Sequence, residues 1–448
     1  MPRLALLLSL SSLLALAPGC RCGGEGPTPP PAASARPLPS PATSAAPSAS
    51  GSSPLPAPLT LGAPWSAVRS AEGWVAVGVP REGDGLLALR AGADGAPEPA
   101  VLQGSPALGR PTALDLVASK GGLALHIEDR QGKGFLWRAP SWDALRAAAP
   151  EPHGASLCAL EDRLLAVVNG ETPALRSWPF AGGDPALVLE LKDGASSLYC
   201  GASRAYLLVD DGKQRRLFAV DRAGTRGPIS LDGKENERGL AFAVEQDTLW
   251  ISKIDASLRP SLRRWPASAP APDPWIPLDE RLDEGSSLDL LLPRADAPRV
   301  ALVVGRHTDA DDCKNGENFH TVAELLLFDL EKRALARPKV KIDTWLCGAE
   351  AGPFGGGASA KGFVVSWPRG VGAGCAKQGA RYGGLGYVEV PLEGAPRAGK
   401  VELPSWDLLD LGCEGGRCGA VALARGEDGA CWAADDARNN QPRWVAYP

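Results

Sequence analysis

The residues best suited to chemistry sit in one run, Asp309-Ala310-Asp311-Asp312-Cys313-Lys314-Asn315-Gly316-Glu317-Asn318. Carboxylate and amide oxygens at Asp309, Asp311, Asp312 and Asn315 are the hard ligands that calcium takes. The run is not an EF-hand. Counted from Asp311, the place of the bidentate glutamate falls on Val322, and counted from Asp309 the obligatory glycine falls on Lys314. The plain alternative is a solvated acidic loop stapled through Cys313. Asp435 and Asp436, on a second inserted loop, are candidates to join this site. His307 and His320 flank the run, and a pair there would supply metal ligands or a general base. Ordinary loop histidines are the alternative. His126 falls mid-strand and reads as packing. No Gly-x-Ser-x-Gly elbow, Walker loop or dinucleotide fingerprint occurs. No cofactor is therefore expected beyond calcium at the acidic run. Carboxylate pairs for glycoside chemistry lie remote in sequence and leave no local signature.

A second chemistry belongs to cysteine. Arg3 followed by the apolar stretch 4–17 predicts an export signal, too short for a membrane span of about 20 residues. It ends in Leu16-Ala17-Pro18-Gly19-Cys20, which resembles a bacterial lipobox. The resemblance implies cleavage after residue 19, lipidation of Cys20 and a lipid-anchored place in the bacterial cell envelope, at the outer membrane. An ordinary signal peptide cut nearby is the alternative. Residues 21–56 are rich in Pro, Ala and Ser and predict a disordered linker, because they cannot bury a core. Of the 10 cysteines, eight remain after Cys20 and Cys22, and an even number in an exported chain suggests disulfides. The pairings expected are Cys313 with Cys347, Cys375 with Cys431, and Cys413 with Cys418. Cys158 and Cys200 fall on first strands of adjacent units, where a bridge or two buried free thiols are both open. No Cys-x-x-Cys pair occurs, which argues against structural zinc.

The elements that must position these groups are strands. From residue 57 onward, short apolar segments alternate with Gly, Pro, Asp and Asn turns, and only residues 142–149 carry a helical pattern. This predicts an all-β domain over 57–448. Third strands echo one another in Phe135-Leu136-Trp137-Arg138, Leu175-Arg176-Ser177-Trp178 and Leu262-Arg263-Arg264-Trp265. First strands begin near Trp65, Ala113, Ala155, Ser196, Gly239, Ser287, Phe354 and Trp406, and the early spacings are about 41 to 48 residues, the period of a four-stranded blade.

The pattern resembles the β-propeller fold. It implies eight four-stranded blades, with seven also compatible. Trp137, Trp178 and Trp265 recur at one position, so they are expected to pack between blades rather than to stack on sugars. The segment 58–62 is expected to complete the last blade, with 443–448 as that blade's third strand. The competing reading makes 430–436 the third strand and 443–448 the fourth. Long insertions at 307–322, 369–383 and 425–442 join second to third strands, so they fall on one face with Cys313, Cys347, Cys375 and Cys431. His307, His320, Asp435 and Asp436 are the binding-face candidates. Leu217-Phe218-Ala219-Val220-Asp221 and Leu327-Phe328-Asp329-Leu330 resemble quinoprotein-type propeller repeats, as in the outer-membrane assembly lipoprotein. That resemblance implies architecture only.

The charge balance excludes one class of partner. With 47 Lys+Arg against 52 Asp+Glu the net charge is -5, so broad binding to nucleic acid is not expected. The expected function is an envelope-anchored binding or scaffolding propeller whose partners are the membrane, through its lipid, and an envelope protein or glycan. The alternative is a propeller enzyme, a hydrolase or lyase on glycans, with its site at the central channel mouth.

Overall fold

A computed structural model describes residues 61–447 apart from 71–72, 81–84, 92–97, 103–110, 130, 152–155, 169–171, 192–194, 232–237, 295, 312, 314–317, 346–353, 360, 369–384, 402–404, 415–416 and 426–439. Cys20, the linker, Asp312, Asn315, Cys347, Cys375, Cys431, Asp435 and Asp436 lie outside the described residues.

The chain runs as a succession of short antiparallel meanders. The first unit is β1 (Leu61–Ser70), β2 (Gly73–Pro80), β3 (Leu87–Ala91) and β4 (Glu98–Val101). The second is β5 (Ala113–Ser119), β6 (Gly122–Glu128) and β7 (Gly134–Ala139), followed by α1 (Trp142–Ala147). The third is β8 (Leu157–Ala159), β9 (Leu164–Val168), β10 (Ala174–Trp178) and β11 (Ala186–Glu190). The fourth is β12 (Ala195–Cys200), β13 (Ala205–Asp210), β14 (Arg215–Asp221) and β15 (Gly224–Ser230). The fifth is β16 (Arg238–Glu245), β17 (Thr248–Ile254), β18 (Pro260–Trp265) and β19 (Ile276–Pro277). The sixth is β20 (Ser287–Arg294), β21 (Arg299–Asp309) and β22 (Phe319–Asp329), with β23 (Ala334–Leu335) and β24 (Val340–Trp345) both paired to β22. The seventh is β25 (Gly355–Ala358), β26 (Gly362–Pro368), β27 (Leu385–Pro391) and β28 (Arg397–Val401). The last is β29 (Ser405–Glu414), β30 (Arg417–Arg425) and β31 (Asn440–Ala446).

The first strands form a closed cycle. β1 packs beside β5, β5 beside β8, β8 beside β12, β12 beside β16, β16 beside β20, β20 beside β25, β25 beside β29, and β29 beside β1. This cyclic succession of antiparallel sheets is a β-propeller. Closure is made by hydrogen-bonded strands as well as by packing. Leu61 of β1 pairs with Pro80 on one side and with Asn440 of β31 on the other. A register shift between Gly62 and Trp65 marks the start of β1's regular pairing with β2. β31 is thus the third strand of the last unit, and the chain's early segment reaches the place of the fourth.

The physical reason for a ring is the burial of both faces of each sheet. β26 is buried at all seven positions and β6 at six consecutive ones. Strand alternation sends those side chains to both neighbours in turn. Trp137 packs with Val75 and Leu86 of the preceding unit, Trp178 with Ala124 and Leu136, and Trp265 with Tyr206 and Leu217. The three tryptophans therefore fill interblade cores, as their recurrence predicts. Gly356 allows β25 to approach β20, since a Cβ there would come within 2.8 Å of the Leu290 and Leu292 methyls.

Two details differ from the sequence reading. The second unit has three named strands, and its fourth place holds only a bridge between Leu136 and Glu151. The chain there turns instead into α1, which Ser141 caps by accepting from the Ala144 amide and which buries Trp142 and Leu145. The segment 307–322 is also less of a loop than expected. His307, Thr308 and Asp309 pair with Thr321, His320 and Phe319, so both ends of the segment extend the β21–β22 hairpin.

His126 lies on β6 with 8% of its surface exposed, and burial lowers its pKa from 6.5 to about 4. The unfolded chain takes up this proton near pH 6.5 and the folded chain near pH 4. Between those values the unfolded state binds more protons, so stability falls as pH is lowered through the window and is fully present above it. The shift corresponds to about 3 kcal/mol. Urea midpoints measured from pH 7 to 4 should show this loss in the wild type and a flatter profile in His126→Leu. Equal slopes in both would exclude His126 as the source.

Candidate functional site

A cavity of about 410 Å³ opens between units five and six. Its walls include Trp250, Leu262 and Arg264 from unit five, and Arg294, Asp296, Pro298, Leu330 and Glu331 from unit six. The unit-six wall comes from the β20–β21 and β22–β23 turns. In a meander these lie at the end opposite the β21–β22 hairpin, so the cavity faces away from the inserted run at 309–318.

Local pairing explains the unit-five wall. Trp250 and Arg264 are directly opposed on β17 and β18, so they share a sheet face. The Arg264 guanidinium carbon lies 5.9 Å from the Trp250 ring centre. Its Nε donates to Asp273 Oδ2 at 2.6 Å. The two η nitrogens make no hydrogen bond. The neighbouring Arg263 lies over Trp275 on the other sheet face. The indole Nε1 of Trp250 is buried without an acceptor.

The unit-six wall is built from locked charges and one loose one. Arg294 is buried and donates from Nε and Nη2 to Asp296 at 2.5 and 2.7 Å, and from Nη1 to the Ser359 carbonyl of unit seven at 2.6 Å. These bonds hold the Asp296 carboxyl below its ordinary range. Asp329 shapes the next turn. Its Oδ1 accepts from the Glu331 and Lys332 amides, and its Oδ2 pairs with Arg299 at 2.6 Å. Burial works to raise the Asp329 pKa, but these donors and cations outweigh it and the pKa is lowered. Asp129 and Asp221 accept turn amides in the same way, so the strand-end aspartates are turn caps. Glu331, presented by the Asp329 turn, is exposed and its carboxylate makes no ion pair or hydrogen bond.

Among the described residues no serine, cysteine, lysine or histidine lines this cavity. Its chemistry is that of recognition: an apolar floor with a few convergent polar groups. Two carboxyls shifted upward lie elsewhere, on first strands. Burial raises the pKa of Asp115 on β5, against the pull of the backbone at Leu157 and Leu116. Burial likewise raises Asp289 on β20, whose carboxylate accepts the Ser287 hydroxyl at 2.7 Å.

The sites read from sequence fare variously. His307 and His320 are not opposed: His307 faces Thr321 and His320 faces Thr308, so alternation puts the two rings on opposite faces of the hairpin. His307 stacks on Phe319 at 4.2 Å, and His320 Nδ1 lies 3.8 Å from Cys313 Sγ. Among the described residues no group of three His, Cys, Asp or Glu side chains is placed to hold a metal. Cys158 and Cys200 are bonded, with Cα atoms 5.5 Å apart, and so join β8 to β12. Of the two readings of this pair, the bridge holds. Cys313 and Cys418 are also disulfide-bonded, and their partner sulfurs lie outside the described residues. Cys413 stands directly opposite Cys418 in the β29–β30 ladder.

No protein-family model and no curated protein matches the chain. Several solved structures are similar to parts of it at low identity. Prolyl oligopeptidase B from Galerina marginata is 10% identical with a TM-score of 0.45, over 81% of this chain and 56% of that one. A puromycin hydrolase is 15% identical with a TM-score of 0.39, over 83% and 52%. The WD40 domain of SCAP from fission yeast is 9% identical with a TM-score of 0.34, over 75% and 74%. The chain thus spans just over half the length of the first two. The propeller assignment stands on the chain's own cyclic sheet order.

Proposed function

We propose that this protein is a binding or scaffolding propeller of eight blades, held in a bacterial cell envelope by lipid on Cys20. Among the described residues no helix is long and apolar enough to cross a membrane. The observation that carries the binding reading is the cavity between units five and six, which has recognition chemistry and no nucleophile or histidine. Its occupant is an envelope protein or glycan component.

The test uses the full exported chain. Wild type is expected in the detergent-extracted membrane fraction and Cys20→Ser in the soluble exported fraction. Cys20→Ser should still co-sediment with isolated envelope material, and Ala297→Trp made in the Cys20→Ser background, which fills the cavity, should not. Membrane retention of Cys20→Ser would remove the lipid anchor, and unchanged sedimentation of Ala297→Trp would remove the cavity.

A second reading rests on Asp115 and Asp289. Carboxyls raised by burial on the strands nearest the ring's axis suit general acid catalysis on glycans. Cleavage of glycan in the same sedimentation assay would favour it.

A further inference from the structure

The charges around the cavity divide into spent and unspent. Arg294 and Asp296 hold each other through two short bonds. Arg264 is tied to Asp273 through Nε alone, which fixes the guanidinium while its η nitrogens keep their donors. Glu331 keeps its whole carboxylate. The unspent groups are therefore one fork of donors from unit five and one anion from unit six. Between them lies an apolar floor of Trp250, Leu262 and Leu330. Counting Asp273 with the lining charges, three carboxylates, of Asp273, Asp296 and Glu331, balance three guanidiniums, of Arg263, Arg264 and Arg294. A balanced set suits a ligand that carries both signs, since a purely anionic ligand would oppose Glu331 and a neutral sugar would leave it unused.

We infer that the cavity binds a short peptide through its free amino terminus. The ammonium group pairs with Glu331, the first peptide carbonyl or a terminal carboxylate takes the η donors of Arg264, and an apolar side chain covers the floor. The volume suits two or three small residues, within the about 300–1,000 Å³ of small-ligand sites. Arg264 is preorganised by Asp273 and by the Trp250 ring, so little side-chain freedom is lost on binding. This inference rests on the binding reading above and names the ligand class for the same cavity.

Calorimetry on the full exported chain tests it, with leucyl-leucine, N-acetyl-leucyl-leucine and a neutral oligosaccharide as probes. Leucyl-leucine is expected to bind, and its N-acetyl form at least tenfold more weakly. Glu331→Gln should weaken leucyl-leucine by a similar factor and leave the acetylated probe unchanged, because the two changes remove one interaction. Glu331 is exposed and unpaired, so the variant should melt like the wild type. Equal binding of free and acetylated peptide, or no effect of Glu331→Gln, overturns the inference. Binding of the oligosaccharide but of neither peptide overturns it while leaving the binding reading in place. Binding of none of the three overturns it too, and Ala297→Trp in the sedimentation assay then reports separately on the cavity.

Discussion

Trp265→Ala should lower the unfolding free energy by about 3–5 kcal/mol. The ring has no exposed surface and sits in the core between units four and five. It meets the Tyr206 ring at 5.8 Å and 54°. Its Nε1 donates to the Ala269 carbonyl at 3.1 Å, and the Tyr206 hydroxyl donates to the Trp265 carbonyl at 3.0 Å. Removing the indole leaves a cavity bounded by two stiff sheets, which relax little. It also removes one of two donors to the Ala269 carbonyl, leaving Arg226 Nη1. Each unit touches its two neighbours, so loss of one interface weakens the ring as a whole. Urea unfolding should show a lower midpoint with an unchanged slope. A loss under about 1 kcal/mol would mean that the neighbouring sheets collapse into the space, against the packing described.

Breaking Cys158–Cys200 should cost about 2–4 kcal/mol. The bridge joins first strands of adjacent units across a sequence separation of 42. Cross-linking a loop of that size restricts the unfolded chain by about 4 kcal/mol in the chain-entropy model. Cys158 is fully buried in the core shared by units three and four, so the bond ends inside the interface that it ties. Its reduction should open units three and four first, and hydrogen exchange should quicken there before it quickens in unit seven. The measurement compares Cys158→Ala/Cys200→Ala with wild type, under oxidising and reducing conditions. If reduction leaves the wild type as stable as before, the bridge contributes nothing.

The ring was legible because it repeats. Trp137, Trp178 and Trp265 fall at one structural position, and that spacing carried the blade pattern and the interblade burial. Helix α1 showed as a helical pattern over residues 142–149, and the closing role of the segment near Leu61 followed from its likeness to fourth strands. The second unit's missing fourth strand was not legible, because a single bridge at Glu151 has no pattern. His307 and His320 looked like neighbours across a loop. Their actual separation depends on hairpin register, which a difference of one position reverses. The cavity left no signal at all. Arg264 reads as part of a repeated third strand and Glu331 as a turn residue. Their meeting depends on which face each strand turns to the next unit, and no local spacing encodes that. Cys158 and Cys200 were ambiguous for a related reason, since a buried thiol and a half-cystine occupy the same apolar setting.

The pairing of Leu61 with Asn440 sets an order of events. Synthesis delivers β1 early and β31 last. Until β31 arrives, β1 holds one edge of the first sheet unpaired, and the earlier units form an open arc with exposed ends. A chain cut short before Asn440 never leaves that state, and open sheet edges invite pairing with other chains. The seam thus acts as a completion check. Only a chain that includes β31 can make the Leu61–Asn440 pairing.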